Sequence, residues 1–235
     1  ALSSDSENAE STDSTGLTAF GADGFTVGAD TNYSDTTGDG MVAWCWNVGT
    51  GTASGTSSGS GTGKGYDAKY NTDAGFSIID YRGNGTSGHT IPHHLGVAPD
   101  FIVVKAWSRS GVGWMTYNSG IGATKYGNWE RAEAWGTSAV AWNDTEPTST
   151  VFSLGDNSNW NDDDEDFIAY CFKNVDGYSK AGVYEGNEDA DGTFVYTGFR
   201  PAFILLKCTA VAHPWQIYDS ARNPFNQSIK YLFVD

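Results

Sequence analysis

The stretch "MVAWCWN" at residues 41–47 returns as "FIAYCFK" at residues 167–173. In an extended chain alternate side chains point to opposite faces. Val42, Trp44 and Trp46 then share one face, with Ala43 and Cys45 on the other; Ile168, Tyr170 and Phe172 likewise stand opposite Ala169 and Cys171. Both faces are apolar, one large and one small. That pattern belongs to a central strand covered on both sides, in which cysteine packs as a small hydrophobe. A nucleophilic thiol needs a neighbouring base or cation to lower its pKa, and neither stretch supplies one.

Working outward, the neighbours repeat as well. "GFTVG" (24–28) precedes the first copy and "VFSLG" (151–155) the second. "GFSIIDYRGNG" (75–85) follows the first and "GYSKAGVYEGN" (177–187) the second. Then come "APDFIVVKAW" (98–107) with "RPAFILLKCT" (200–209), and "WMTYNS" (114–119) with "WQIYDS" (215–220). Five blocks in one order make the two halves diverged copies of one unit. The halves divide as residues 1–127 and 128–235.

Short β-branched and aromatic runs separated by Gly, Asn, Asp and Ser clusters predict an all-β protein of two homologous, β-sandwich-like (jelly-roll-type) repeats with little or no helix. Strands are expected at 24–28, 41–47, 76–82, 101–107, 114–118, 151–154, 167–173, 178–184, 203–208, 215–218 and 230–234. Between its Cys strand and "GFS" the first copy inserts "TGTASGTSSGSGTGKGYDAKYNTD" (50–73). Gly/Ser/Thr tracts are flexible and pack poorly, so 50–73 is expected as a solvent-exposed loop outside the core. The sequence closes on "KYLFVD" (230–235), a strand with no turn after it. An unpaired strand invites a neighbour, so 230–234 is expected to pair with another module, in the same chain or a neighbouring one. The ends read as a segment cut from a longer array, the alternative being a two-copy protein with ragged ends.

Composition narrows the partners. Among 235 residues, 29 are Asp or Glu and 13 are Lys or Arg, a formal net charge of −16. This balance and the absence of a basic run disfavour nucleic acid and anionic membranes, and no apolar stretch reaches membrane-spanning length. Residues 1–15 carry no signal-peptide pattern. Three cysteines are too few and too widely spaced for a disulfide scaffold or zinc ribbon; Cys171 with Cys208 is the pair a single disulfide would use.

The run of motifs "GDGMVAWCWN", "GFSIIDYRGNGTSGHTIPHHLGVAPDFIVVK", "WNDTEPTSTVFSLG", "FIAYCF" and "FVYTGFRPAFILLK…WQIYDSARNPFN" resembles repeat domains of uncharacterised function in marine tailed-phage virion proteins. The resemblance covers most of residues 20–235. It implies a tail-fibre or other structural chain and carries no catalytic residues.

Several clusters are candidate sites. "DNSNWNDDDED" (156–166) is the densest anionic stretch, and its oxygens suit Ca²⁺, with Asp156, Asp162, Asp164 and Asp166 as ligands; the alternative is a solvated acidic loop. No cofactor is required by any motif. Trp129, Trp142 and Trp160 sit beside Asn and Asp, a combination that suits a sugar-binding platform or a tryptophan-packed interface between repeats. Trp114 and Trp215 recur at equivalent positions and are expected in the core. His89, His93 and His94 have no counterparts in the second copy and are expected as polar loop residues. Asn32, Asn84, Asn143 and Asn226 stand in Asn-x-Ser/Thr acceptors for glycosylation.

The function this supports is a non-enzymatic structural or adhesive module of an extracellular or virion-surface fibre. Its partners would be other copies of the same repeat and cell-surface glycans. A carbohydrate-binding module is the alternative, and a polysaccharide-degrading enzyme a third reading.

Overall fold

The structure, a computed structural model, describes residues 1–34, 41–222, 224 and 229–234. In chain order the strands are β1 Leu17–Phe20, β2 Phe25–Val27, β3 Gly51–Thr56, β4 Ser58–Gly59, β5 Gly65–Asn71, β6 Phe76–Arg82, β7 His89–Pro92, β8 Phe101–Ala106, β9 Met115–Asn118, β10 Lys125–Asn128 and β11 Gly136–Thr137. A one-turn helix α1 Ala139–Trp142 leads to β12 Val151–Leu154, and α2 Ser158–Asn161 to β13 Asp166–Phe172. Strands β14 Phe203–Leu206, β15 Gln216–Asp219 and β16 Leu232–Phe233 complete the list. The protein is all-β.

Eight strands form one antiparallel sheet in the order β11-β10-β9-β8-β13-β6-β5-β3. A second sheet, β12-β7-β4, lies across one face. Its Ile91, Phe152 and Leu154 share a buried core with Ile79, Tyr81, Ile102, Val104, Met115, Phe167, Ala169 and Cys171 of the large sheet. Side-chain alternation explains the choice of face. In β13, Phe167, Ala169 and Cys171 are buried in this core while Ile168, Tyr170 and Phe172 are half-buried on the other side. Each large apolar side chain so buried contributes about 1.5–3 kcal/mol. The helices act as plugs: Trp142 meets Tyr117 and Phe152 at ring distances of 5.6 and 6.3 Å, and Trp160 meets Tyr126 at 5.4 Å.

The other face of the large sheet carries a smaller apolar cluster. Trp215, just before β15, and Ile217 on it are buried there with Trp135 and Val234, beside Phe101, Trp129, Phe203 and Leu205.

The repeat is visible in hydrogen-bond register. Phe101 pairs with Asn118 and Val104 with Met115; in the second copy Phe203 pairs with Asp219 and Leu206 with Gln216. The third strand follows suit, Thr116 opposite Gly127 in one copy and Ile217 opposite Leu232 in the other. Even the buried lysine is matched. Lys105 Nζ donates to the carbonyls of Ala106 and Val112, and Lys207 Nζ to those of Ala132 and His213.

Four expectations need correction. First, the unit of folding is not the sequence repeat. β13, from the second copy, lies between β6 and β8 of the first, so a boundary at 127/128 cuts through one sheet. Second, the tract 50–73 is not a loop. It builds β3, β4 and β5, with Ser57 and Ala68 buried; its small residues allow an edge ladder, and Tyr66 and Ala68 alternate inward to anchor it. Third, 41–47 and 178–184 form no strands. Fourth, the strand at 230–234 finds a partner within its own repeat, β16 pairing with β15; among the described residues its other edge is open.

Candidate functional site

A buried polar network lies between the two sheets. β7 alternates, so His89 and Ile91 point inward and Thr90 and Pro92 outward. His89 Nδ1 lies 2.8 Å from Asn161 Oδ1, and Nε2 lies 2.6 Å from the hydroxyl of Ser57. Asn161 is placed by α2 and fixed by its amide, which donates to the carbonyls of Thr86 and Gly155. Its Oδ1 therefore faces both the imidazole and the backbone N–H of Asn84. An amide oxygen only accepts, so Nδ1 carries the proton, and Ser57 donates its own to Nε2. Burial lowers the pKa of His89, the Asn161 bond opposing the shift, and the ring is neutral.

Hydroxyl, imidazole and orienting oxygen thus follow the order of a hydrolase relay, with an amide in place of the carboxylate. Two features seal it. Ser57 Oγ also accepts from the N–H of Lys64 at 2.9 Å, and both Ser57 and His89 are buried. The trough on the sheet edge, lined by Thr52, Ser54, Asp67, Lys69, Ile78 and Asp80, includes neither. In this state the network pins β4 and the 57–64 turn onto β7.

His93 also departs from the expected polar loop role. His93 is buried, its Nε2 3.1 Å from the Thr148 carbonyl and its Nδ1 accepting from Leu95 N–H. Burial pulls its pKa down to about 4. His94 takes a left-handed φ of 60° and stacks on Tyr70 with ring centres 5.2 Å apart. The inward alternation of His89, Ile91 and His93 was the signal that would have placed them. Nothing local marked Ser57 within its Gly/Ser tract.

The acidic stretch is partly offset by the protein's own cations. Lys64 Nζ lies 2.8 Å from Asp163 and 2.7 Å from Asp164, and Arg82 donates to the Asp164 carbonyl and lies 3.5 Å from its carboxylate. Arg109 pairs with Asp162, and Ser108 donates to Glu165. Lys64 holds the Asp164 carboxyl below its ordinary range. The Asp166 carboxylate lies 3.9 Å from Arg82, and Asp156 is exposed. Among the described residues, no three His, Cys, Asp or Glu side chains converge as a metal site. Asp156, Asp162, Asp164 and Asp166 are therefore not brought together as a ligand set.

The three candidate tryptophans are packing residues. Trp142 and Trp160 are buried, so neither offers a sugar-binding face. Trp129 is half-buried and stacks on Trp215 at 5.3 Å, joining the large sheet to the β14-β15-β16 sheet. Trp114 and Trp215 are buried as expected. Of the glycosylation acceptors, Asn32 is exposed. The Asn84 side chain is buried, its amide donating to the carbonyls of Ser60 and Thr62, which leaves no amide for a sugar. Asn143 is half-buried, and Asn226 lies outside the described residues. All three cysteines are free, Cys45 and Cys208 exposed and Cys171 buried; the Cys171–Cys208 pairing does not form.

These features define an all-β protein of interlocked, duplicated antiparallel sheets. The family model described as a domain of unknown function (DUF7483) matches residues 1–234, and the chain belongs to that family. No curated protein and no solved structure matches it.

Proposed function

We propose that this chain is a non-enzymatic structural module of an extracellular or virion-surface fibre, with an adhesive role where its surface meets a host. One observation carries the reading: β13 of the second repeat is the middle strand of the first repeat's sheet. A chain whose folded units straddle its sequence repeats ties successive repeats together by ladder hydrogen bonds rather than by a linker. Separating them requires pulling a central strand from a sheet. The surplus of negative charge suits a solvated outer surface. Burial of Trp142 and Trp160 removes the platform on which a glycan-binding reading rested.

Immunogold electron microscopy with antibodies raised against this chain tests the assignment. Label along a fibre on virions or cells is expected; label confined to the cytosol rejects it.

A further inference from the structure

Comparison with the first unit shows which strand positions the described residues leave unfilled in the second. In the first, the large sheet runs β8-β13-β6, and β12 pairs with β7. The counterparts in the second copy are β14 for β8, residues 178–184 for β6 and residues 193–196 for β7. No strand among the described residues pairs with the outer edge of β14. The counterparts of β12 and β13 are β2 and residues 41–47, and these are not seated there.

Equivalent side chains record the difference. Ile102 on β8 is 0% exposed, and Ile204 on β14 is 40% exposed. Phe167 on β13 is 0% exposed, whereas its counterpart Met41 is 53% exposed. Phe152 on β12 is 0% exposed, whereas Phe25 on β2 is 45% exposed. Phe194, Val195 and Tyr196, where β7 would be, and Tyr178, Val183 and Tyr184, where β6 would be, are exposed as well. An acceptor with an open strand edge and two largely exposed apolar donor segments, β2 and residues 41–47, stand on one molecule.

Among the described residues no strand closes this edge. The Trp44 and Trp46 rings lie 5.6 and 6.0 Å from Phe203, and Trp44 is half-buried on the Trp135–Trp215 cluster, yet residues 41–47 form no ladder with β14. The Trp46–Phe203 separation equals the 6.0 Å between Phe172 and Phe101 in the first unit, so the recognition pair is present without its strand. Upstream of the donor, Glu10 and Glu7 bond to Trp107 and Gly111 of the first unit.

We infer that the outer edge of β14 is a strand-acceptor site for residues 41–47 of a second copy of this chain, which adds antiparallel between β14 and residues 178–184 with Cys45 opposite Ile204 and Trp46 opposite Phe203. The register is that of Cys171 opposite Ile102 and Phe172 opposite Phe101. β2 of the same donor covers residues 193–196. Strand addition supplies affinity through main-chain hydrogen bonds and specificity through alternate side chains. Donor and acceptor are different surfaces, so each copy that accepts a strand still has one to give. Such a head-to-tail contact grows into a filament where its rotation does not close a ring. The inference rests on the fibre reading and names that fibre's longitudinal partner.

Cross-linking tests it. Ile204→Cys is made in a Cys208→Ser background, leaving Cys45 as the exposed native thiol, and the protein is treated with a short bis-maleimide across a concentration series. A ladder of covalent multimers is expected, growing with concentration, with mass spectrometry joining Cys45 to position 204. Bridging only within monomers would show that the chain closes its own edge, and no bridge at these positions would show that the register is wrong; either overturns the proposal. Should the variant fail to fold, light scattering on the unmodified chain gives the same answer: self-association is expected, and Trp44→Ala/Trp46→Ala must weaken it at least 10-fold. Immunogold label on a fibre without the cross-link would reject the strand exchange alone; the cross-link with cytosolic label would reject the fibre.

Discussion

Cys171, from the second repeat, lies directly opposite Ile102, from the first, across the β8–β13 ladder. Burial pushes this thiol well above the ordinary range, which removes the thiolate on which reactivity depends. Maleimide labelling of dilute, monomeric protein is expected to modify Cys45 and Cys208 and to spare Cys171 until denaturant is added. Labelling of three thiols in the native state would mean that the central strand opens.

That placement marks what could be read in advance. Strand β6 was expected at its observed bounds, 76–82, because its apolar alternation is strong and flanked by glycine. The face on which Cys171 packs followed from the same alternation. The partner of a strand, by contrast, is a long-range choice. Nothing in "FIAYCFK" says that it pairs with β6 and β8 of the preceding copy rather than with β14 of its own. The Gly/Ser tract misled for a related reason: small residues predict a loop when read locally, and only the neighbouring β6 turns 51–56 and 65–71 into an edge hairpin. Trp142 and Trp160 looked like surface because Asn and Asp surround them, yet one-turn helices swing both rings into the core.

Asn161 joins four groups: the carbonyls of Thr86 and Gly155, the N–H of Asn84 and the His89 ring. Asn161→Ala leaves them buried without a partner, and each such group costs about 1–3 kcal/mol. A loss of roughly 3–5 kcal/mol is expected in urea denaturation, because partial relaxation and water entry recover some of the sum. A change below about 1 kcal/mol would show the network to be dispensable.

Gly155 is required by close approach rather than by its dihedral angles. A Cβ at this position would lie 2.2 Å from the Val140 carbonyl oxygen and 2.4 Å from its carbon. The contact is backbone on backbone, between the end of β12 and α1, and no rotamer relieves it. Gly155→Ala is expected to cost about 2–4 kcal/mol by forcing α1 away from β12. A melting temperature equal to that of the parent would contradict the packing described.

The acidic turn makes a prediction about calcium. A cation entering at Asp162–Asp166 must displace Lys64, Arg82 and Arg109 from carboxylates and carbonyls they already hold. Millimolar Ca²⁺ is therefore expected to leave the melting temperature where EDTA leaves it. A Ca²⁺-dependent rise of several degrees would restore these aspartates as ligands. Lys64→Ala separates the cases further, since it frees two carboxylates and should create weak Ca²⁺ affinity where none existed.

Acid should act through the buried histidines before it acts through the carboxylates. His93 titrates near 6.5 when unfolded and at about 4 when folded, because burial disfavours its charged form. Between these values the unfolded chain binds more protons, so the free energy of unfolding rises with pH across that window. The contribution is therefore complete above about pH 6.5 and is lost as pH falls toward 4. A shift of this size corresponds to about 3 kcal/mol at most. His89, lowered by the same cause, adds with the same sign. Urea denaturation from pH 7.5 to 5 should show falling stability before most carboxylates titrate. His93→Gln lacks the titration, so its stability should start lower and vary less over this range. A parent curve that is flat from pH 7 to 5 would place the His93 ring in water, against the contacts with Thr148 and Leu95.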